Sequence, residues 1–268
     1  MPKAPSSGGD SPGLEARGVS HAFRGEYVLR GIDLSIPEGE FVALLGPSGS
    51  GKTTLLRLLA GLERPTEGRI LRKGRETGEP GIDRGVVFQD YSLFPWMRVS
   101  DNLTLAIRKA FPSLSRAEQR TLADEYLEMV GLAGAGSKYP YQLSGGMQQR
   151  GAIARALAIG SPVLLMDEPF GALDPLNRLR LQELLAEVRT AAQPRKTILF
   201  VTHDVDEAIF LGDRIVVLGA SPGRVIADLP VSLHRDVSLR DRISELYRED
   251  VLHRLEEPTV VAGSAEGI

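Results

Sequence analysis

The chain has 268 residues, 42% hydrophobic and 25% charged, which is ample for a buried core in one or two domains. A net charge of −3 gives no overall electrostatic case for nucleic-acid binding, and the lack of cysteine excludes disulfides and thiolate metal sites. No apolar run approaches the ~18–20 residues of a spanning helix, so the reading is a soluble protein whose membrane link, if any, comes through a partner.

Residues 1–13 are rich in Pro, Ser and Gly and have no apolar h-region, so they read as a disordered leader and not as a signal peptide. Short strands follow, at Leu14–Arg17 and, roughly alternating, Tyr27–Ile36. After the turn Pro37–Glu40, Phe41-Val42-Ala43-Leu44-Leu45 reads as a buried parallel strand. It runs into Gly46-Pro47-Ser48-Gly49-Ser50-Gly51-Lys52-Thr53, which fits G-x-x-x-x-G-K-[ST]. From Thr54 a helix follows, with Leu55, Leu58, Leu59 and Leu62 on one face. Strand, glycine loop and helix is the setting that a phosphate cradle needs. The glycines let successive N–H groups turn inward, and the helix N-terminus adds partial positive charge. Lys52 is placed to reach the β- and γ-phosphates, and the Thr53 hydroxyl to bind Mg²⁺.

Arg69–Arg72 and Gly85–Phe88 read as further strands, the second ending at Gln89. From Ser100 to Ala158 the texture is helical. Ser115-Arg116-Ala117-Glu118 is a capping box opening a helix to about Val130, and a second helix begins near Gly145. Strands at Val163–Met166, Thr197–Thr202 and Arg214–Leu218 then alternate with helices at Leu176–Thr190 and Val205–Leu211. This alternation predicts an α/β protein with a parallel sheet into which the helical block is inserted. Arg240–Leu255 reads as a last helix, and the tail after Pro258 as frayed.

Two stretches carry further chemistry. Met166-Asp167-Glu168 ends a hydrophobic strand with two carboxylates. With the glycine loop upstream, Asp167 is placed to hold Mg²⁺ beside Thr53, and Glu168 to polarise an attacking water. In Leu143-Ser144-Gly145-Gly146-Met147-Gln148-Gln149-Arg150, Ser144 is a candidate N-cap and two glycines leave N–H groups bare. From the residues alone, this is either a second anion site or a capped helix start with no ligand.

Leu143–Gln148 resembles the signature sequence of the ATP-binding cassette (ABC) ATPases, and the resemblance extends over about Leu14 to Leu233. It implies an α/β, P-loop NTPase fold: a RecA-like parallel sheet core with an N-terminal antiparallel β subdomain and an inserted α-helical subdomain at about 90–158. The ATPase domain would then span 14–235, and a C-terminal helix and tail 236–268. The resemblance makes Gly46–Thr53, with Thr54, the ATP-binding Walker A loop, and Val163–Glu168 the Walker B strand with Glu168 as catalytic base. Gln89 matches the glutamine that touches Mg²⁺ and the water and senses a transmembrane partner, and His203 matches the switch histidine on the γ-phosphate. Asp174, in Gly171-Ala172-Leu173-Asp174, matches the loop across the dimer interface. Phe23 falls where the family places the aromatic that stacks on adenine, a role that Tyr27 could also take. Ser144, Gly145 and Gly146 would close over the ATP of a second copy in a head-to-tail dimer. Gly151 departs from the Ala or Val usual in relatives, and an interior helical Gly costs about 1 kcal/mol against Ala.

Pro80–Gln89, Leu93-Phe94-Pro95-Trp96 and Ser221-Pro222-Gly223-Arg224 resemble importers for nitrate, taurine and aliphatic sulfonates, although pyrimidine-precursor importers share them. Implied partners are a second copy, a permease bound through the apolar residues between Gln89 and Asn102, and indirectly a solute-binding protein. The implied location is the cytoplasmic face of the inner membrane. A non-transport ABC ATPase is the alternative; repair and chromosome types carry a long coiled coil between the Walker motifs, and no sustained heptads lie between Lys52 and Asp167. A dinucleotide-binding oxidoreductase needs G-x-G-x-x-G, which Gly49-Ser50-Gly51-Lys52-Thr53-Thr54 does not supply.

Overall fold

The structure is a computed structural model that describes residues 12–191, 195–220, 222–231, 242–243 and 245–246. Most of the expected leader, the tail after 258 and most of the expected last helix lie outside the described residues. Residues 242–243 and 245–246 are helical, and Ile243 is fully buried in the main core.

Strands β1 (Pro12–Phe23) and β2 (Glu26–Pro37) form an antiparallel hairpin, which starts within the stretch read as leader. Strand β3 (Phe41–Leu45) feeds the glycine loop and helix α1 (Lys52–Ala60). Leu55, Leu58 and Leu59 are buried as expected, whereas Leu62 is 45% exposed. The helix stops before it: Gly61 takes φ 74°, and a Cβ there would sit 2.5 Å from the Glu79 carbonyl oxygen. Next come β4 (Glu67–Arg72), the two-residue β5 (Arg75–Glu76) and β6 (Arg84–Val87). Three helices follow, α2 (Val99–Ala110), α3 (Arg116–Met129) and α4 (Gly145–Ala158). The expected capping box opens α3: Ser115 Oγ accepts from Glu118 N, and the Glu118 carboxylate accepts from Ser115 N. Then come β7 (Val163–Asp167), α5 (Pro175–Ala191), β8 (Thr197–Thr202), α6 (Val205–Leu211), β9 (Arg214–Gly219) and β10 (Arg224–Pro230).

Two sheets result. The order β2-β1-β4-β5 is antiparallel, and β10-β9-β3-β8-β7-β6 is parallel except at the β10–β9 edge. The central strands are buried on both faces, which explains their continuous apolar runs. Phe41, Ala43 and Leu45 face one cluster with Met166 and Phe200, while Val42 and Leu44 face another with α1 and the antiparallel sheet. The helices have their own core of Val99, Leu103, Leu127, Leu132, Leu143 and Ala154, among others. Gly151 gains a reason here. Its Cβ would stand 3.3 Å from Leu93 Cδ1, so the glycine lets α4 approach the segment before α2.

The Pro80–Gln89 stretch also has a local cause. Arg84 is buried and donates to the Leu59 carbonyl oxygen (3.1 Å), to Thr77 Oγ1 (2.9 Å) and to the Glu79 carbonyl oxygen (2.5 Å). It ties the end of α1 to the loop before β6 through two backbone carbonyls and the Thr77 hydroxyl, while its Nε lies 3.4 Å from the Asp83 carboxylate.

Candidate functional site

Strands β3, β7 and β8 are parallel neighbours, so their C-terminal ends open on one edge of the sheet, where α/β folds bind ligands. Leu45 leads straight into the glycine loop. A Cβ on Gly46 would lie 2.5 Å from Ser50 Oγ and 2.8 Å from the Leu218 carbonyl oxygen, and one on Gly51, at φ 82°, would lie 2.6 Å from Leu29 Cδ2. Only glycine lets the loop curl this tightly. Pro47 is partly exposed, and Ser48 and Gly49 are exposed at the rim. Lys52 is buried, with its Nζ donating to the carbonyl oxygens of Gly46 (2.7 Å) and Pro47 (2.9 Å). Burial lowers its pKa, and the nearby Glu168 and Asp167 carboxylates oppose that shift.

Asp167, the last residue of β7, is 2% exposed. Burial pushes its pKa up, and a hydrogen bond to Thr53, the second residue of α1, pulls the other way. Two hard oxygen donors therefore stand side by side where the sequence placed them. Among the described residues no group of three or more His, Cys, Asp or Glu could cage a metal. A few protein oxygens beside a phosphate cradle suit Mg²⁺, which keeps waters and takes substrate phosphates as its other ligands.

Glu168 follows with φ 45°, a left-handed conformation that costs a non-glycine residue of order 1–3 kcal/mol. Its N–H donates to the Val201 carbonyl oxygen at 3.0 Å, which locks the turn to β8. The turn aims its carboxylate between two other strand ends. Gln89 Nε2, after β6, lies 3.5 Å from Glu168 Oε2, and His203 Nδ1, after β8, lies 3.3 Å from Oε1. Residues 89, 168 and 203, far apart in sequence, meet at one carboxylate.

Ser144 is the N-cap of α4, exposed, with its Oγ accepting from Met147 N at 3.4 Å. Gly145 and Gly146 owe their lack of side chains to packing. A Cβ on Gly145 would lie 3.0 Å from the Tyr91 hydroxyl, and one on Gly146 would lie 3.2 Å from Leu173 Cδ2. Among the described residues, no hydrogen bond or ion pair joins Ser144–Gly146 to the Gly46–Thr53 loop. Asp174 caps α5, accepting from Asn177 N (3.1 Å) and Asn177 Nδ2 (2.6 Å), and these bonds hold its pKa down.

The two candidate stacking aromatics differ. Phe23, at the end of β1, is 49% exposed, with His21 edge-on at 4.7 Å. Tyr27 has Arg30 over its ring at 5.1 Å and donates its hydroxyl to Glu67 Oε1 at 2.8 Å. In the Tyr91–Asn102 stretch the apolar residues split. Leu93 packs the core, while Phe94 and Trp96 are exposed and pair at 5.4 Å. Asn102, at the end of this stretch, lies inside α2 and is fully buried. Its amide makes four hydrogen bonds to the backbone of Phe94, Met97 and Arg98. Sequence reasoning missed this clamp and also Arg155, which donates to the Ser92 carbonyl oxygen at 2.5 Å beneath Tyr91 (φ 65°) and Ser92 (φ 47°). The available signal was polar side chains at buried positions of amphipathic helices.

A glycine cradle on a parallel sheet edge, two carboxylates at the end of β7, one strand removed from β3, and a capped glycine helix in an inserted block define a P-loop ATPase. Residues 29–171 match the family model of the ABC transporter. The chain is 50% identical over 207 residues to the nitrate import ATP-binding protein NrtD of Synechococcus elongatus, covering 77% of this chain and 75% of that protein. It is 44% identical over 252 residues to the bicarbonate transport ATP-binding protein CmpD of the same species, covering 91% and 89%. A solved dimeric ATP-binding cassette in a post-hydrolysis state, bound to ADP and Pi, superposes with a TM-score of 0.75 at 35% identity, over 82% of this chain and all of that one. The chain belongs to the ABC transporter family, as its ATP-hydrolysing subunit.

Proposed function

We propose that this subunit drives an importer of small anions, of the kind its nitrate and bicarbonate relatives serve, through a partner permease. The anion reading is supported by the likeness to the nitrate and bicarbonate import subunits, and the hydrolytic role of the site by the convergence of Gln89 and His203 on Glu168. In this reading Gly46–Thr54 bind the ATP phosphates through backbone N–H groups and the Lys52 ammonium. Thr53, Asp167 and Gln89 hold Mg²⁺, which neutralises charge developing on the phosphates. Glu168 accepts the proton of the attacking water, with Gln89 orienting that water and His203 contacting the γ-phosphate. Phe23, whose exposed ring is less engaged than that of Tyr27, is the adenine platform.

The nucleotide site is half a site in one copy. Ser144, Gly145 and Gly146 present an exposed helix N-terminus suited to an anion, and they serve the ATP of a second copy, with Asp174 facing the same interface. Phe94 and Trp96, exposed and backed by Asn102, receive the permease at the cytoplasmic membrane face, and the permease in turn engages a solute-binding protein. The proposed domain limits are 14–235, with the helical insertion at about 90–158. The test is uptake of labelled nitrate and bicarbonate by vesicles carrying the subunit with its permease and binding protein. ATP-dependent uptake of either, lost in Lys52→Ala, is expected. Uptake only of a neutral or cationic solute would overturn the anion assignment.

A further inference from the structure

We propose that Glu207 is a positioning residue for His203, fixing the backbone of the segment after β8 by tying it to α5. The inference rests on the reading of His203 as the residue that contacts the γ-phosphate. The His203 side chain is 70% exposed, so packing does not hold the imidazole in place. Its neighbours on either side are held instead. Thr202 Oγ1 donates to Glu207 Oε2 at 2.6 Å and accepts from Asp204 N at 3.0 Å, so one hydroxyl pins both flanks of His203. Asp204 Oδ1 in turn accepts from Glu207 N at 3.2 Å, capping α6.

The other oxygen of the Glu207 carboxylate points to α5. Gln182 Nε2 donates to Oε1 at 3.3 Å, and Arg178 Nε lies 3.8 Å from it. Arg178 and Gln182 stand four residues apart on one helical face. Glu207 is 7% exposed and its pKa is raised by burial, so retaining a carboxylate here carries a desolvation penalty. A small pocket lined by Glu168, Gly171, Arg178, Thr202, His203 and Glu207 places this network directly beside the reacting groups. A misplacement of about 1 Å at such a site can lower a rate by about 100-fold.

The experiment is a kinetic cycle on the full chain. Glu207→Ala and Thr202→Val are each expected to lower kcat for ATP hydrolysis by roughly tenfold or more while leaving ATP affinity within about twofold. Glu207→Gln keeps an acceptor for the Thr202 hydroxyl and is expected to restore most of the rate. In a His203→Ala background, Glu207→Ala and Thr202→Val are expected to cause no further loss, because the path runs through His203. Full additivity in that background, or an unchanged kcat in Thr202→Val, would overturn the inference while leaving His203 in place. An unchanged kcat in His203→Ala alone would instead remove the role of His203, and the inference with it. If Glu207→Ala does not fold, the Thr202→Val and Glu207→Gln arms still decide the matter.

Discussion

The sheet edge buries charged groups, whereas the helical block buries neutral amides such as Asn102 and Gln149. At the sheet edge Lys52 and Asp167 are buried, their pKa values are displaced by desolvation, and Glu168 occupies a left-handed backbone. That edge therefore keeps desolvated charge and a strained backbone turn side by side. In the helical block Asn102 is buried without charge and satisfied by four backbone hydrogen bonds, Gln149 Nε2 is buried with no hydrogen-bond partner among the described residues, and Ser144, Phe94 and Trp96 are exposed. One region concentrates buried charge at strand ends. The other leaves two aromatic rings and a capped helix N-terminus exposed.

The sheet-edge half of this contrast breaks most visibly at Glu168. Glu168→Gln is expected to lower kcat by about 10²- to 10⁴-fold while ATP still binds. The stalled variant should elute as an ATP-stabilised dimer in size-exclusion chromatography, and undiminished hydrolysis would remove Glu168 as the base. Lys52→Ala deletes a charge-assisted phosphate contact, so nucleotide affinity should fall by about 10- to 100-fold in a titration with a fluorescent ATP analogue. Trp96→Ala tests the other half: permease affinity should drop by about 30-fold, from about 2 kcal/mol of truncated anchor, with the Tm of the isolated chain nearly unmoved. Equal losses in Tm and in permease binding would mean that Trp96 supports the fold and not a partner.

Smaller effects sharpen the comparison. The pKa of Asp167 is raised in the folded state, so near that pKa the native chain binds a proton that the unfolded chain has released. Its contribution to stability is therefore full below the unfolded-state pKa and lost as pH rises through the folded one. Asp167→Asn should accordingly raise the Tm at pH 7 to 8 in the absence of nucleotide, and the gain should shrink toward pH 4. The same variant should lose Mg²⁺-dependent hydrolysis, and a Tm lowered at pH 8 would refute the cost of burying this charge. Gly151→Ala is expected to change stability by less than about 1 kcal/mol, since helix propensity gained opposes the 3.3 Å approach to Leu93. A larger loss in thermal unfolding would show that Leu93 cannot give way.

Much of this was legible because the signals are local. The apolar runs of β3, β7 and β8, the Ser115 capping box and the glycine loop each follow from residues within a few positions of one another. Strand β10 and helix α2 were not singled out. The first is a partly exposed edge strand paired to β9, and the second starts without a side-chain cap, at Arg98. Leu62 was placed on a buried face because periodicity does not see the left-handed cap at Gly61, which ends the helix one residue earlier. Asn102 and Glu207 were passed over because a lone amide or acid in a helix reads as solvated until its long-range partners are known.

The sequence by itself determined the phosphate loop, the paired carboxylates after a buried strand, the capped glycine helix and the α/β class, because each is written in short-range spacing and periodicity. Only the tertiary structure decided that Gln89 and His203 converge on Glu168, that Phe94 and Trp96 are exposed while Leu93 is not, and that Glu207 holds both sides of His203. Those outcomes depend on strand order and on which side chains cross the space between elements. No local pattern encodes either one.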